Sequence, residues 1–140
     1  MKISRHEVED DPINNRRTEL VERKGLGHPD SISDGIAEKI SRELSREYRD
    51  RFGHILHHNT DEAQLVAGES NPGFGSGEVI EPIFILLAGR ATKEFNGEEI
   101  PVDRIALNAA KEYINSNFKE LDSSQVELES KVGETSTDLE

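Results

Sequence analysis

Glu22-Arg23-Lys24-Gly25-Leu26-Gly27-His28-Pro29-Asp30 reads as the end of a strand, a turn made by two glycines and the start of a helix. Pro29 suits the first helical position, where its missing N–H has no intrahelical partner, and Asp30 suits the positive end of the helix dipole. Downstream, Ile32, Ile36, Ile40, Leu44 and Tyr48 recur every four residues with Ala37 beside them, one apolar stripe at helical spacing. The other face carries Glu38 and Arg42, Arg42 and Arg46, Glu47 and Arg51 at i,i+4 spacing, a mixture of attraction and repulsion that belongs in water. Gly53 is placed to end the helix. Upstream, Leu20 and Val21 put a short strand at Thr18–Lys24, behind a polar arm, Met1–Arg17.

Further along, Ile55–His58 and Ala63–Ala67 read as strand. A glycine-rich loop, Asn71–Gly77, leads to Val79–Ala88, a nearly continuous apolar run expected to be a strand buried on both faces. Pro82 near its start predicts an edge or a bulge. Asn96-Gly97 marks a turn, and Pro101 opens a second helix with Val102, Ile105, Ala106, Ala109, Tyr113 and Phe118 toward one side. Gln125–Glu129 alternates strictly, with Val126 and Leu128 facing in, and Gly133–Glu140 is polar and turn-like. The order β-α-β-β-α-β predicts an α+β sandwich: one mixed or antiparallel sheet with both helices on one face, formed by residues 18–140 behind the arm of residues 1–17.

The chain has 140 residues, 17 Lys+Arg against 29 Asp+Glu and a formal net charge of −12. One domain of this size buries roughly 68–70 % of its unfolded surface and needs no staples. There is no cysteine, so disulfides, thiolate metal sites and a thiol nucleophile are excluded; a reducing, cytoplasmic setting is the matching expectation. The apolar run Ile83–Ala88 is far short of the ~20 residues of a membrane helix, and Met1–Asp10 has no apolar core of a signal peptide. Acidic balance argues against a nucleic-acid partner, which needs clustered Lys/Arg to displace counterions.

Two readings compete for Gly25–Asp30. In one, free N–H groups at the helix start attract phosphate, the glycines admit a ligand to the backbone, and Asp30 shares a divalent cation with the phosphate oxygens while His28 donates to the same ligand. In the other, His28 caps an ordinary helix after a plain turn. Gly73, Gly75 and Gly77 lack the Lys-Ser/Thr ending of a P-loop and lead into a strand, so they read as a hairpin connection, although a flap over a site would use the same glycines. In His57-His58-Asn59-Thr60-Asp61-Glu62 the adjacent histidines face opposite ways, which disfavours zinc, while Asn59 and Asp61 share a face and could meet a hard cation or a ligand hydroxyl.

Taken together, these segments resemble the archaeal-type S-adenosylmethionine synthetases (methionine adenosyltransferases). The resemblance rests on Val21–Asp34, Ile55–Asp61, Pro82–Ala91 and Val132–Leu139, in family order and over most of the chain from Glu19 onward. It implies three similar β-α-β-β-α-β domains around a pseudo-threefold axis, of which this chain resembles the N-terminal one; the central and C-terminal domains are absent from it. The family forms S-adenosylmethionine from ATP and L-methionine with Mg²⁺ and, as a further cation, K⁺. By that likeness His28 acts at the breaking bond and Asp30 holds Mg²⁺. Glu22, Asn59 and Asp61 line the substrate, and Gly133, Glu134, Thr135, Ser136, Thr137 and Asp138 bind the nucleotide. Thr135 departs from the family's Gly-x-Gly-Ser-x-Asp-Leu, where a second glycine stands. The resemblance also implies a cytoplasmic homodimer and an isolated domain without synthetase activity. A non-catalytic interaction module or a stand-alone nucleotide binder of the same fold are the alternatives.

Overall fold

A computed structural model describes residues 1–135. Its longest element is helix α1 (Pro29–Phe52), about 36 Å by the helical rise. The His28 ring accepts the Asp30 N–H at its start, Pro29 takes the first helical position, and Gly53 at φ 78° ends it in the left-handed region. Ile32, Ile36, Ala37, Ile40, Leu44 and Tyr48 are its buried stripe, as the four-residue spacing predicts.

The strands are β1 (His58–Val66), β2 (Glu69–Pro72), β3 (Gly77–Glu81), β4 (Ile83–Ala91), β5 (Glu94–Phe95) and β6 (Glu98–Glu99). Helix α2 (Val102–Asn117), β7 (Val126–Ser130) and β8 (Gly133–Glu134) follow. The sheet runs β1-β4-β7, antiparallel on the β1 side and parallel on the β7 side, with β8 continuing against the end of β4. Parallel pairing of β4 with β7 requires a crossover, and α2 provides it. Asn96 and Gly97, both at positive φ, make the tight β5–β6 turn.

One core holds the fold. Ile85, Leu87 and Ala91 of β4 and Val126 of β7 meet the α1 stripe and Val102, Ala106, Ala109, Ala110 and Ile114 of α2. Both helices lie on the same sheet face and touch each other. At that crossing a Cβ on Gly35 would overlap the Tyr113 ring, so glycine is what lets the helices approach. The α+β class and the one-sided helix layer are as the sequence predicts.

Three local expectations need correction. Thr18–Lys24 forms no strand: Leu20 and Val21 are 92 % and 82 % exposed. Being adjacent, they would point to opposite faces, and charged neighbours leave no apolar side to bury. Only a single 3-10 turn, Ile13–Asn15, precedes α1. The run Val79–Ala88 is divided at Pro82: Val79 and Ile80 belong to the exposed β2–β3 hairpin, and only the part from Ile83 enters the core sheet. Proline has no N–H for the ladder, so the change of sheet falls there. The expected break between Ile55–His58 and Ala63–Ala67 is absent: β1 runs unbroken from His58 to Val66 with a register shift between Asn59 and Glu62, and residues 55–57 precede it. Phe74, at the tip of the β2–β3 hairpin, is fully exposed and takes no part in the core.

Candidate functional site

Residues 1–30 are exposed throughout, so the start of α1 is open to solvent. The chain turns there through a hydrogen bond from the His28 N–H to the Gly25 carbonyl at 3.1 Å. His28 Nδ1 accepts the Asp30 N–H at 3.1 Å, which leaves Nε2 carrying the proton on the opposite side of the ring. The Asp30 carboxylate takes a hydrogen bond from Lys24 Nζ, and this contact and the lysine charge hold its pKa below the usual carboxylate range. A Cβ on Gly25 or Gly27 would meet nothing within 4 Å, and neither residue has the positive φ that demands glycine. The fold makes no use of the side chains missing at these two positions.

Asn59 and Asp61 lie on β1, beside the same helix. They line a cleft of about 410 Å³ between the free edge of β1 and the second to fourth turns of α1, opposite Asp34, Glu38 and Ser41. A bulge aims them: Asn59 pairs with Arg90 and Glu62 with Ala88, so Thr60 and Asp61 together oppose Gly89. Gly89, at φ 126°, is forced, because a Cβ would overlap the Asn59 carbonyl oxygen and stand 2.9 Å from Thr60 Cα. Thr60 is 4 % exposed and its hydroxyl has no hydrogen-bond partner among the described residues. His58 is structural: Nδ1 donates to the Leu56 carbonyl at 3.0 Å, and in the neutral ring Nε2 accepts from the Ser41 hydroxyl at 2.9 Å. Among the described residues no three His, Asp or Glu side chains converge as a metal cage.

Asp30, Asp34 and Glu38 climb successive turns and join the helix start to this cleft, about 12 Å along the axis. Gly133 and Glu134 sit beyond it. Gly133 pairs with Arg90, two strand spacings or about 10 Å from Asn59. Arg90 donates to the Glu134 carbonyl at 3.0 Å, and the Lys93 N–H to the Glu134 carboxylate at 3.1 Å. Thr135 is buried; its N–H donates to the Ala91 carbonyl at 3.2 Å and its hydroxyl lies 3.4 Å from that of Thr92. The Tyr48 hydroxyl donates to the Thr92 carbonyl at 2.7 Å, so this segment is anchored near the far end of α1. Ser136, Thr137 and Asp138 lie outside the described residues. Glu22 is exposed on the lead-in.

Sequence reasoning missed the acidic helix side of the cleft and the role of Lys24. Asp30, Asp34 and Glu38 at i, i+4 and i+8 carried the first signal; nothing in the spacing announced the second.

The family model for S-adenosylmethionine synthetase (AdoMet synthetase) matches residues 1–140. The S-adenosylmethionine synthase of Methanothermobacter marburgensis is 59 % identical over 129 residues, covering 91 % of this chain and 32 % of the relative. That of Methanococcoides burtonii is 57 % identical over 129 residues, with the same coverages. That of Haloquadratum walsbyi is 55 % identical over 130 residues, covering 92 % and 32 %. The chain spans about a third of the length of the curated relatives it matches.

Proposed function

The chain belongs to the S-adenosylmethionine synthetase family, and we propose that residues 18–140 are the N-terminal domain of an enzyme making S-adenosylmethionine from ATP and L-methionine. The observation that carries this reading is the helix start: two glycines the fold does not need, beside an ionised Asp30 and a proton-bearing His28 Nε2.

In the family reaction the methionine sulfur attacks the ribose C5′ and the C5′–O bond breaks. The tripolyphosphate that leaves is hydrolysed to phosphate and diphosphate. Negative charge gathers on the leaving oxygens, so the enzyme must supply positive charge and hydrogen-bond donors there. His28 Nε2 donates to the ribose or bridging oxygen. Asp30 fits a Mg²⁺ site of the kind built from one protein carboxylate plus phosphate and water oxygens. That ion would neutralise polyphosphate charge. Glu22, Asn59 and Asp61 form the substrate wall, and Gly133–Asp138 the nucleotide segment, with Thr135 held by its inward side chain. A K⁺ ion, to which no residue of this chain is assigned, would add positive charge near the leaving group.

The family likeness supports a homodimer of the full-length enzyme. A chain of net charge −12 also leaves most polyphosphate-binding Lys and Arg to the remaining domains, so the isolated chain is expected to form no S-adenosylmethionine. Among the described residues no helix is long and apolar enough to cross a membrane, in keeping with a soluble, cytoplasmic enzyme.

The test is a chimera in which this chain replaces the matching third of the Methanothermobacter marburgensis enzyme. It should convert ATP and methionine to S-adenosylmethionine. Asp30→Asn should abolish turnover while the melting temperature stays within a degree or two, since asparagine keeps the helix-start shape and loses only charge. A folded but inactive chimera, or equal loss of stability and turnover in Asp30→Asn, would refute the reading.

A further inference from the structure

We propose that the C-terminal half of α1 carries an oxyanion site for a phosphate group, separate from the helix start. Arg42, Arg46 and Arg49 line a cleft of about 260 Å³ together with Ser41, Ser45 and Ile55. They stand at i, i+4 and i+7, so three guanidinium groups share one face. Like charges so spaced destabilise a helix by a few tenths of a kcal/mol per pair.

The chain neutralises them only in part. Arg42 reaches Glu38 only at 4.0 Å, with both side chains largely in water. Arg46 meets Glu43 at 3.3 Å, but Glu43 also takes Lys39 at 3.1 Å, so one carboxylate serves two cations. Arg49 has no ion pair or side-chain hydrogen bond among the described residues. The contrast is Arg51, on the same last turn, which is held by Glu47 at 2.6 Å and Glu98 at 2.9 Å.

Attraction to the helix C-terminus explains a cation at Arg49, but that field fades within the last turn and does not reach Arg42 or Arg46. The Ser45 hydroxyl makes only a long contact, 3.5 Å, to His58 Nε2, where Ser41 sits closer at 2.9 Å, so a ligand oxygen would be the stronger partner for it. Planar guanidinium groups lining one cleft with serine side chains suit a tetrahedral dianion. Net acidity of the chain does not prevent this, since charges beyond about 8 Å are largely screened at physiological salt.

The experiment is a titration of the isotope-labelled chain with inorganic phosphate at constant ionic strength, read on backbone amides and arginine Nε–H signals. Saturable shifts are expected at Ser45, Arg46 and Arg49, with tighter binding of diphosphate. Parallel titration with phosphoserine distinguishes a phosphate monoester from free inorganic phosphate as the source. Arg49→Gln and Arg46→Gln should each weaken binding about tenfold or more, the loss of one charge-assisted contact, with melting unchanged. The proposal fails if the shifts do not saturate, if Arg49→Gln titrates like the parent, or if sodium chloride alone reproduces them. Shifts confined to Gly25–Asp30 would support the proposed active site and overturn this one. Shifts that follow protein concentration without phosphate would assign the arginines to a second copy's carboxylates and also overturn it.

Discussion

Gly35 and Gly89 differ from Gly25 and Gly27 in what the surrounding chain asks of them. At Gly35 a side chain would enter the Tyr113 ring, and at Gly89 it would strike the backbone of β1. At Gly25 and Gly27 a side chain would meet empty space. The first pair is accounted for by packing inside the molecule. The second pair, five residues or fewer from Asp30, has no such packing reason. Glycine content alone therefore does not mark a binding loop; glycines without a packing reason inside the molecule are where the proposed site can be tested.

The largest effect is expected at Gly89→Ala. Its φ of 126° is strained for any L side chain, and the obstructing atoms are backbone, which cannot swing aside. Strain and overpacking together should cost about 3 kcal/mol in urea unfolding. The bulge that aims Asn59 and Asp61 would be distorted at the same time. A loss under about 1 kcal/mol would mean that the bulge relaxes freely and fixes nothing. Gly35→Ala should cost less, about 1–2 kcal/mol, because helix propensity returns up to about 1 kcal/mol and the Tyr113 ring is only half-buried.

Next comes the packed end of α1. Burial, and then the Glu134 charge, push the Tyr48 phenol above its ordinary range. The neutral form is favoured in the fold. Its contribution is thus complete below the unfolded value near 10 and is lost as pH rises through the higher folded value. In a Tyr113→Phe background, tyrosinate absorbance should appear only together with unfolding seen by circular dichroism. Absorbance rising near pH 10 in the folded chain would show this end to be open. Tyr48→Phe should cost about 1 kcal/mol.

The two helices, the core stripe and the Asn96-Gly97 turn were legible because period and punctuation agree there: proline at the starts, glycine at a stop, apolar residues at fixed intervals. The false strand at Thr18–Lys24 came from two apolar residues without a pattern. The bulge was not legible, because Thr60 and Asp61 look like any two strand residues until Gly89 is seen opposite them. At the candidate site His28 and Asp30 were legible from the glycine turn and the helix start. Lys24 was not, because its contact with Asp30 closes across that turn, six residues along the chain, where no helical or strand period applies.

The smallest stability change, and the sharpest test of the contrast, belongs to Gly25→Ala and Gly27→Ala. Open space around both should keep unfolding free energies within about 0.5 kcal/mol of the parent, with alanine even favoured by the reduced entropy of the unfolded chain. In the chimera the same changes place a methyl group where phosphate would approach the backbone. Losing one hydrogen bond to a charged group lowers kcat/KM by about tenfold to a hundredfold. Stability unchanged and catalysis lost is the result the two bare glycines predict. If catalysis survives both substitutions, the space above them is only solvent, and the turn before α1 is a connection like any other.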